Sequence, residues 1–151
     1  MKALRVGMTL SFLVLTGCGS GGGDATSTLA FSAAYDQEKV VDTPPQGPSL
    51  GDHQAFSGTM RDEAGTSAGH FGGTCTWVGV SGEHVLEHCS AWAELERGVI
   101  VSEGMSRDDA TDVVWAVTGG TDAYEGAQGV VRIRPVSSGI DVVFEVTTPV
   151  R

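Results

Sequence analysis

Apolar and polar residues alternate with a period of two along most of the chain. Phe56, Gly58 and Met60 interleave with Ser57, Thr59 and Arg61. Val113, Trp115 and Val117 interleave with Asp112, Val114 and Ala116. Ile140, Val142, Phe144 and Val146 interleave with Asp141, Val143, Glu145 and Thr147. This is the pattern of strands with one face buried, and no stretch offers an amphipathic helix. Strands are predicted near 28–36, 53–62, 69–80, 84–96, 98–104, 112–118, 128–135 and 139–148. Pro44, Pro45 and Pro48 exclude a regular central strand between the first two. Eight antiparallel strands with short turns predict an all-β barrel or sandwich.

Two hairpins fix their own register. A turn centred at Gly82 sets Cys75 opposite Cys89 and Trp77 opposite Glu87. The face carrying Phe71, Cys75, Trp77, Val85, Ala91 and Leu95 is the more apolar and should point inward. A turn at Ser137-Ser138 sets Val131 opposite Phe144 and Ile133 opposite Val142, with Arg134 and Asp141 paired outside. A slip of one residue would exchange the faces of either hairpin. Phe56, Trp77, Trp115 and Phe144 all take inward parity and form the candidate ligand pocket. Trp92 takes outward parity, as a subunit contact would.

The N-terminus has a different character. Lys2 and Arg5 precede the mostly apolar run Val6–Leu15, followed by Leu15-Thr16-Gly17-Cys18. The order of charge, apolar run and LTGC resembles a bacterial lipoprotein signal. It implies cleavage after residue 17, lipidation of Cys18 and export to a membrane surface. The expected organisation is a signal peptide over 1–17, a glycine-rich tether over 18–27 and one barrel domain over 28–151. The chain carries 9 basic and 19 acidic residues, and cleavage removes two of the basic ones. Such a balance excludes the basic stripe that binds nucleic acid.

A stretch in the C-terminal half carries a family pattern. Gly119-Gly120-Thr121-Asp122-Ala123-Tyr124-Glu125-Gly126-Ala127-Gln128-Gly129 resembles the long glycine-rich loop of allene oxide cyclases and plant dirigent proteins. Leu50-Gly51-Asp52, the 98–104 strand and Gly69–Cys75 are similar to the same superfamily. The resemblance spans roughly residues 49–147 and implies a closed eight-stranded antiparallel barrel, lipocalin-like in outline and often trimeric. Members bind small apolar molecules in the barrel. Some close a ring on a fatty-acid epoxide, some steer phenoxy-radical coupling and some catalyse cycloadditions. The cysteine of the cyclases' G-x-C strand maps to Cys75, while their E-x-N stretch has no match in residues 31–38.

Candidate chemistry is sparse. An exported protein meets oxidising conditions, and the register pairs Cys75 with Cys89, so a disulfide is expected. The competing role for Cys75, implied by the resemblance, is a free catalytic thiol in the pocket. His84-Val85-Leu86-Glu87-His88 spells H-x-x-E-H, but that metal motif needs a helix and this segment reads as a strand. No metal or other cofactor is expected. Glu87 has inward parity and is the candidate general acid or base if buried, or a solvated rim residue if not. The expected function is that of a lipid-anchored barrel that binds a small apolar ligand and guides its cyclisation or isomerisation. The alternative is a non-catalytic binding or envelope protein of the same fold.

Overall fold

The computed structural model describes residues 23–150. The signal segment, Cys18 and the rest of the first half of the tether lie outside them. Eight strands run in chain order around a closed antiparallel barrel. They are β1 (Asp24–Val41), β2 (His53–Arg61), β3 (Ser67–Ser81), β4 (His84–Leu95), β5 (Gly98–Arg107), β6 (Val113–Gly120), β7 (Gln128–Val136) and β8 (Gly139–Pro149). The helix among the described residues is one 3₁₀ turn, Asp122–Tyr124, between β6 and β7.

The period-two pattern determines what faces the lumen. Val113, Trp115 and Val117 on β6 are buried, and so are Ile140, Val142, Phe144 and Val146 on β8. The β7–β8 register is the expected one, with Val131 opposite Phe144 and Ile133 opposite Val142. Arg134 and Asp141 face each other as expected, but the ion pair on this outer face is the diagonal Arg132–Glu145, at 3.0 Å. The β3–β4 register is one residue off next to the turn, which is Gly82-Glu83 with Ser81 opposite His84. The extra residue Val78 brings the two strands back into the expected pairing, with Trp77 opposite Glu87 and Cys75 opposite Cys89. Cys75 and Cys89 form a disulfide across that pair. Closing a loop of that length contributes about 3 kcal/mol in the chain-entropy account.

β1 departs from expectation. It begins at Asp24, inside the predicted tether, and continues to Val41. The reason is that it serves two neighbours in succession. Residues 24–33 pair with β8 and residues 32–41 with β2. Such a stagger is what closing a tilted sheet into a barrel demands. Two bulges adjust side-chain direction near one end. Asp36 is the extra residue on β1 and Val78 the extra residue on β3.

The barrel interior divides into a packed half and a hollow half. Ile100, Val117, Val146, Tyr124 and Ala127 are buried at the end where the 3₁₀ turn folds underneath. The other end is bordered by the β1–β2, β3–β4, β5–β6 and β7–β8 connections. There the lumen is open.

Candidate functional site

The hollow half exists because its aromatic rings lie against the wall. A side-chain carbon on Gly104 would collide with the Trp115 indole, and one on Gly58 would collide with the Phe71 ring. One on Gly73 would come within 2.8 Å of Phe56 Cζ. Each glycine therefore gives up the volume that a ring occupies. The Trp115 indole N–H also donates to the Met105 carbonyl at 3.2 Å, which fixes the ring's orientation. Tyr35 stands edge-on to Phe71 at 5.4 Å and to Phe56 at 5.9 Å between centroids. The resulting cavity is ≈ 200 Å³ and open at one end. That exceeds the ~150 Å³ that suffices for one benzene in an apolar protein cavity. Met60, Val131, Val142 and Phe144 complete its apolar floor and sides.

The ionisable groups gather at the mouth, while the buried Ser102 hydroxyl is the polar group deeper in the lining. Glu87 projects inward from β4, half-buried, and burial pushes its carboxyl above the ordinary range. The Asp108 carboxylate pushes the same way, while the Trp77 indole N–H opposes them. That indole N–H is buried and completes no hydrogen bond, so its influence on Glu87 is exerted across a longer gap. The Tyr35 hydroxyl is also pushed up, by burial first and then by Glu38 and Glu87. Gln54 on the cavity wall donates to Glu38 at 2.6 Å. A carboxyl pushed up from its ordinary value can give or take a proton beside a bound molecule, and a phenol that keeps its proton can donate a hydrogen bond to it.

Asp52 supports the rim from behind. It is 1% exposed and accepts from the Thr43 backbone N–H at 2.7 Å, the Thr43 hydroxyl at 2.8 Å and the Ser49 N–H at 2.8 Å. Those bonds hold its carboxyl below the usual value. They fold the β1–β2 connection, which docks on β3 through Gly51 N–H to Trp77 O at 3.0 Å and Trp77 N–H to Asp52 O at 2.8 Å.

Of the residues singled out in the sequence, Phe56, Trp115, Phe144 and Glu87 meet at this one cavity. Trp77 does not line it. It stands at the rim where the β1–β2 connection docks, and its ring serves Glu87 rather than the lumen wall. The free-thiol role of Cys75 is replaced by the disulfide, since a cystine sulfur neither attacks nor titrates. His84 and His88 are exposed on the outer face while Glu87 points inward, so the H-x-x-E-H residues do not converge. Glu87 lies within 4.8 Å of the two cysteine sulfurs, but the disulfide removes both as metal ligands. Trp92 lies outside, 40% exposed, with its ring over Gly72. Tyr35 was not anticipated. The signal was its parity with Phe31 and the buried Ala33 along β1.

The same barrel occurs in solved structures of other proteins. It is similar to a pyocyanin demethylase at 22% identity and a TM-score of 0.74, over 80% of this chain and 99% of that one. It is similar to AbnU, an exo-specific intermolecular Diels-Alderase, at 16% identity and a TM-score of 0.71, over 84% of this chain and 100% of that one. It is also similar to the pterocarpan synthase dirigent protein PsPTS1, at 15% identity and a TM-score of 0.59, over 85% and 97%. At these identities the likeness establishes the fold. No curated protein matches the chain by sequence. The family described as "Allene oxide cyclase barrel like domain" matches residues 27–144, and the chain belongs to that family.

Proposed function

We propose that this protein is an exported, lipid-anchored barrel that binds one small, flat, largely apolar molecule and guides its cyclisation or isomerisation. The observation that carries the reading is the cavity of ≈ 200 Å³, with aromatic walls and all its ionisable groups at one end. Affinity would come from burying apolar surface, at about 25 cal/mol per Å². Rate would come mainly from holding the reactive molecule in one conformer, which needs shape more than polar groups. Glu87 is the residue that would move a proton, because it combines cavity contact with a pKa raised toward the operating range, and Tyr35, whose phenol keeps its proton more firmly, would donate a hydrogen bond. The similar structures are named as a demethylase, a Diels-Alderase and a pterocarpan synthase dirigent protein, and those names are compatible with ring chemistry on a small molecule.

The first test is binding of 1-methylnaphthalene by equilibrium dialysis to the full-length protein. Wild type should bind it, and Ser106→Phe, which places a ring across the mouth, should weaken binding at least 10-fold while the melting temperature holds. Absence of binding by the wild type overturns the pocket. The second test identifies copurifying small molecules by mass spectrometry and returns them to the protein. Conversion by wild type that is lost in Glu87→Gln supports catalysis. Unchanged recovery from wild type leaves a carrier, the non-catalytic reading.

A further inference from the structure

We infer that the pocket selects flat aromatic cations over anions of the same size. The inference rests on the pocket reading above and adds the charge class of its ligand. Its basis is the distribution of charge around an aromatic-walled lumen. Glu87 and Asp108 border the cavity directly, and Glu38 is held beside it by the Gln54 side chain. The bulge at Asp36 matters here. Glu38 pairs with Phe56 and Tyr35 pairs with Gly58, and both partners lie on the inner face of β2. Without the extra residue Glu38 would point away from the lumen. Among the described residues, the one guanidinium bordering the cavity is Arg107, and Asp109 lies 3.2 Å from its Nε as an offsetting charge. His84 approaches Asp108 at 3.5 Å from the exposed side.

Two further facts point the same way. Glu38 and Glu87 both act on the Tyr35 hydroxyl, and Asp108 acts on Glu87, in each case favouring the proton-bearing form. A mouth whose own groups resist ionising is one that a bound positive charge would relieve. Below it, the faces and edges of Tyr35, Phe56, Phe71 and Trp115 surround the space, and ring faces attract cations. Carboxylates at the opening of a low-dielectric cavity also concentrate cations at its entrance.

The experiment compares three probes of matched ring size on the full-length protein by equilibrium dialysis: N-methylquinolinium, 1-methylnaphthalene and 1-naphthoate. Wild type should bind the cation about 10-fold or more tightly than the anion. The cation-to-anion ratio should fall toward one in Glu38→Gln/Glu87→Gln/Asp108→Asn, with the affinity for 1-methylnaphthalene measured on the same variant as the reference for its pocket. A wild type that binds the neutral probe but holds the anion as tightly as the cation overturns the charge inference and leaves the pocket standing. A wild type that binds none of the three overturns both. Should the triple variant fail to fold, Glu38→Gln alone supplies the comparison: the ratio should fall, and an unchanged ratio counts against the inference.

Discussion

At the scale of single residues, two carboxyls on neighbouring parts of the rim are treated in opposite ways. Asp52 receives three hydrogen bonds and is held below its ordinary value of 3.8. Glu87 is pushed above its ordinary value of 4.5 by burial. Their effects on stability therefore run in opposite directions with pH. Asp52 contributes stability above pH 3.8, and that contribution is lost as pH falls through its lower folded value. Glu87 costs nothing below pH 4.5 and weakens the fold increasingly as pH rises through its raised folded value. Thermal melts from pH 3 to pH 8 should separate them. Asp52→Asn should melt several degrees below wild type at neutral pH, the gap closing in acid. Glu87→Gln should melt at or above wild type at neutral pH, with no gap in acid. That outcome would assign Glu87 to something other than folding. A Glu87→Gln variant that melts lower at pH 7 would make Glu87 structural. The inward direction of Glu87 was legible from its parity with Val85 and Cys89 on β4; its pairing with Trp77 results from the turn at Gly82-Glu83 together with the extra residue Val78. The surroundings that give Glu87 and Tyr35 their shifted pKa values were not, because Glu38 and Asp108 reach them from elsewhere in the chain.

At the scale of elements, alternation was enough wherever a strand has regular neighbours on both sides. β8 shows this best, with four buried residues at every second position. The pattern failed where the rule of two is interrupted. Asp36 on β1 and Val78 on β3 each shift the parity of the residues beyond them, and a bulge depends on the neighbouring strand rather than on the bulged sequence alone. The full reach of β1 was hidden for a related reason, since its first half finds its partner at the far end of the chain. Glycines mark another kind of constraint. Gly129 lies at the start of β7 with φ at 141°, and a side chain there would meet the Glu145 carbonyl of β8. Gly129→Ala should cost about 1–3 kcal/mol in denaturant unfolding. Gly79→Ala is the milder comparison, because its φ is ordinary and its nearest neighbour is Leu86 Cβ at 3.2 Å rather than a backbone carbonyl in collision. Equal losses in both variants would mean that the β7–β8 contact is no tighter than the rest of the sheet.

At the scale of the whole molecule, the two ends of the barrel differ, and this gives direction to the N-terminus. The first described residue, Gly23, accepts a bond from Val150 N–H at 3.0 Å, and Asp24 pairs with Pro149. Both lie at the end that the 3₁₀ turn and Tyr124 close. The mouth, with Glu87, Ser106 and Asp108, is at the opposite end. Asp24 lies six positions after Cys18, a reach of about 20 Å at full extension. A lipid on Cys18 would therefore hold the closed end near the bilayer and turn the mouth toward water. Ligand would enter from solution and not by lateral diffusion out of the membrane. The described residues contain no helix long and apolar enough to cross a bilayer, so the acyl chains are the attachment this reading depends on. More than one chain is needed for stable anchoring, since each buried methylene contributes about 0.8 kcal/mol. Cys18→Ser should consequently move the protein from the detergent phase to the aqueous phase when membranes are partitioned. Its affinity for 1-methylnaphthalene should remain within about twofold of wild type, because the pocket and the anchor sit at opposite ends. A Cys18→Ser protein that stays with the detergent would refute the lipid anchor, and one that partitions to water but loses the probe would refute the separation of the two ends.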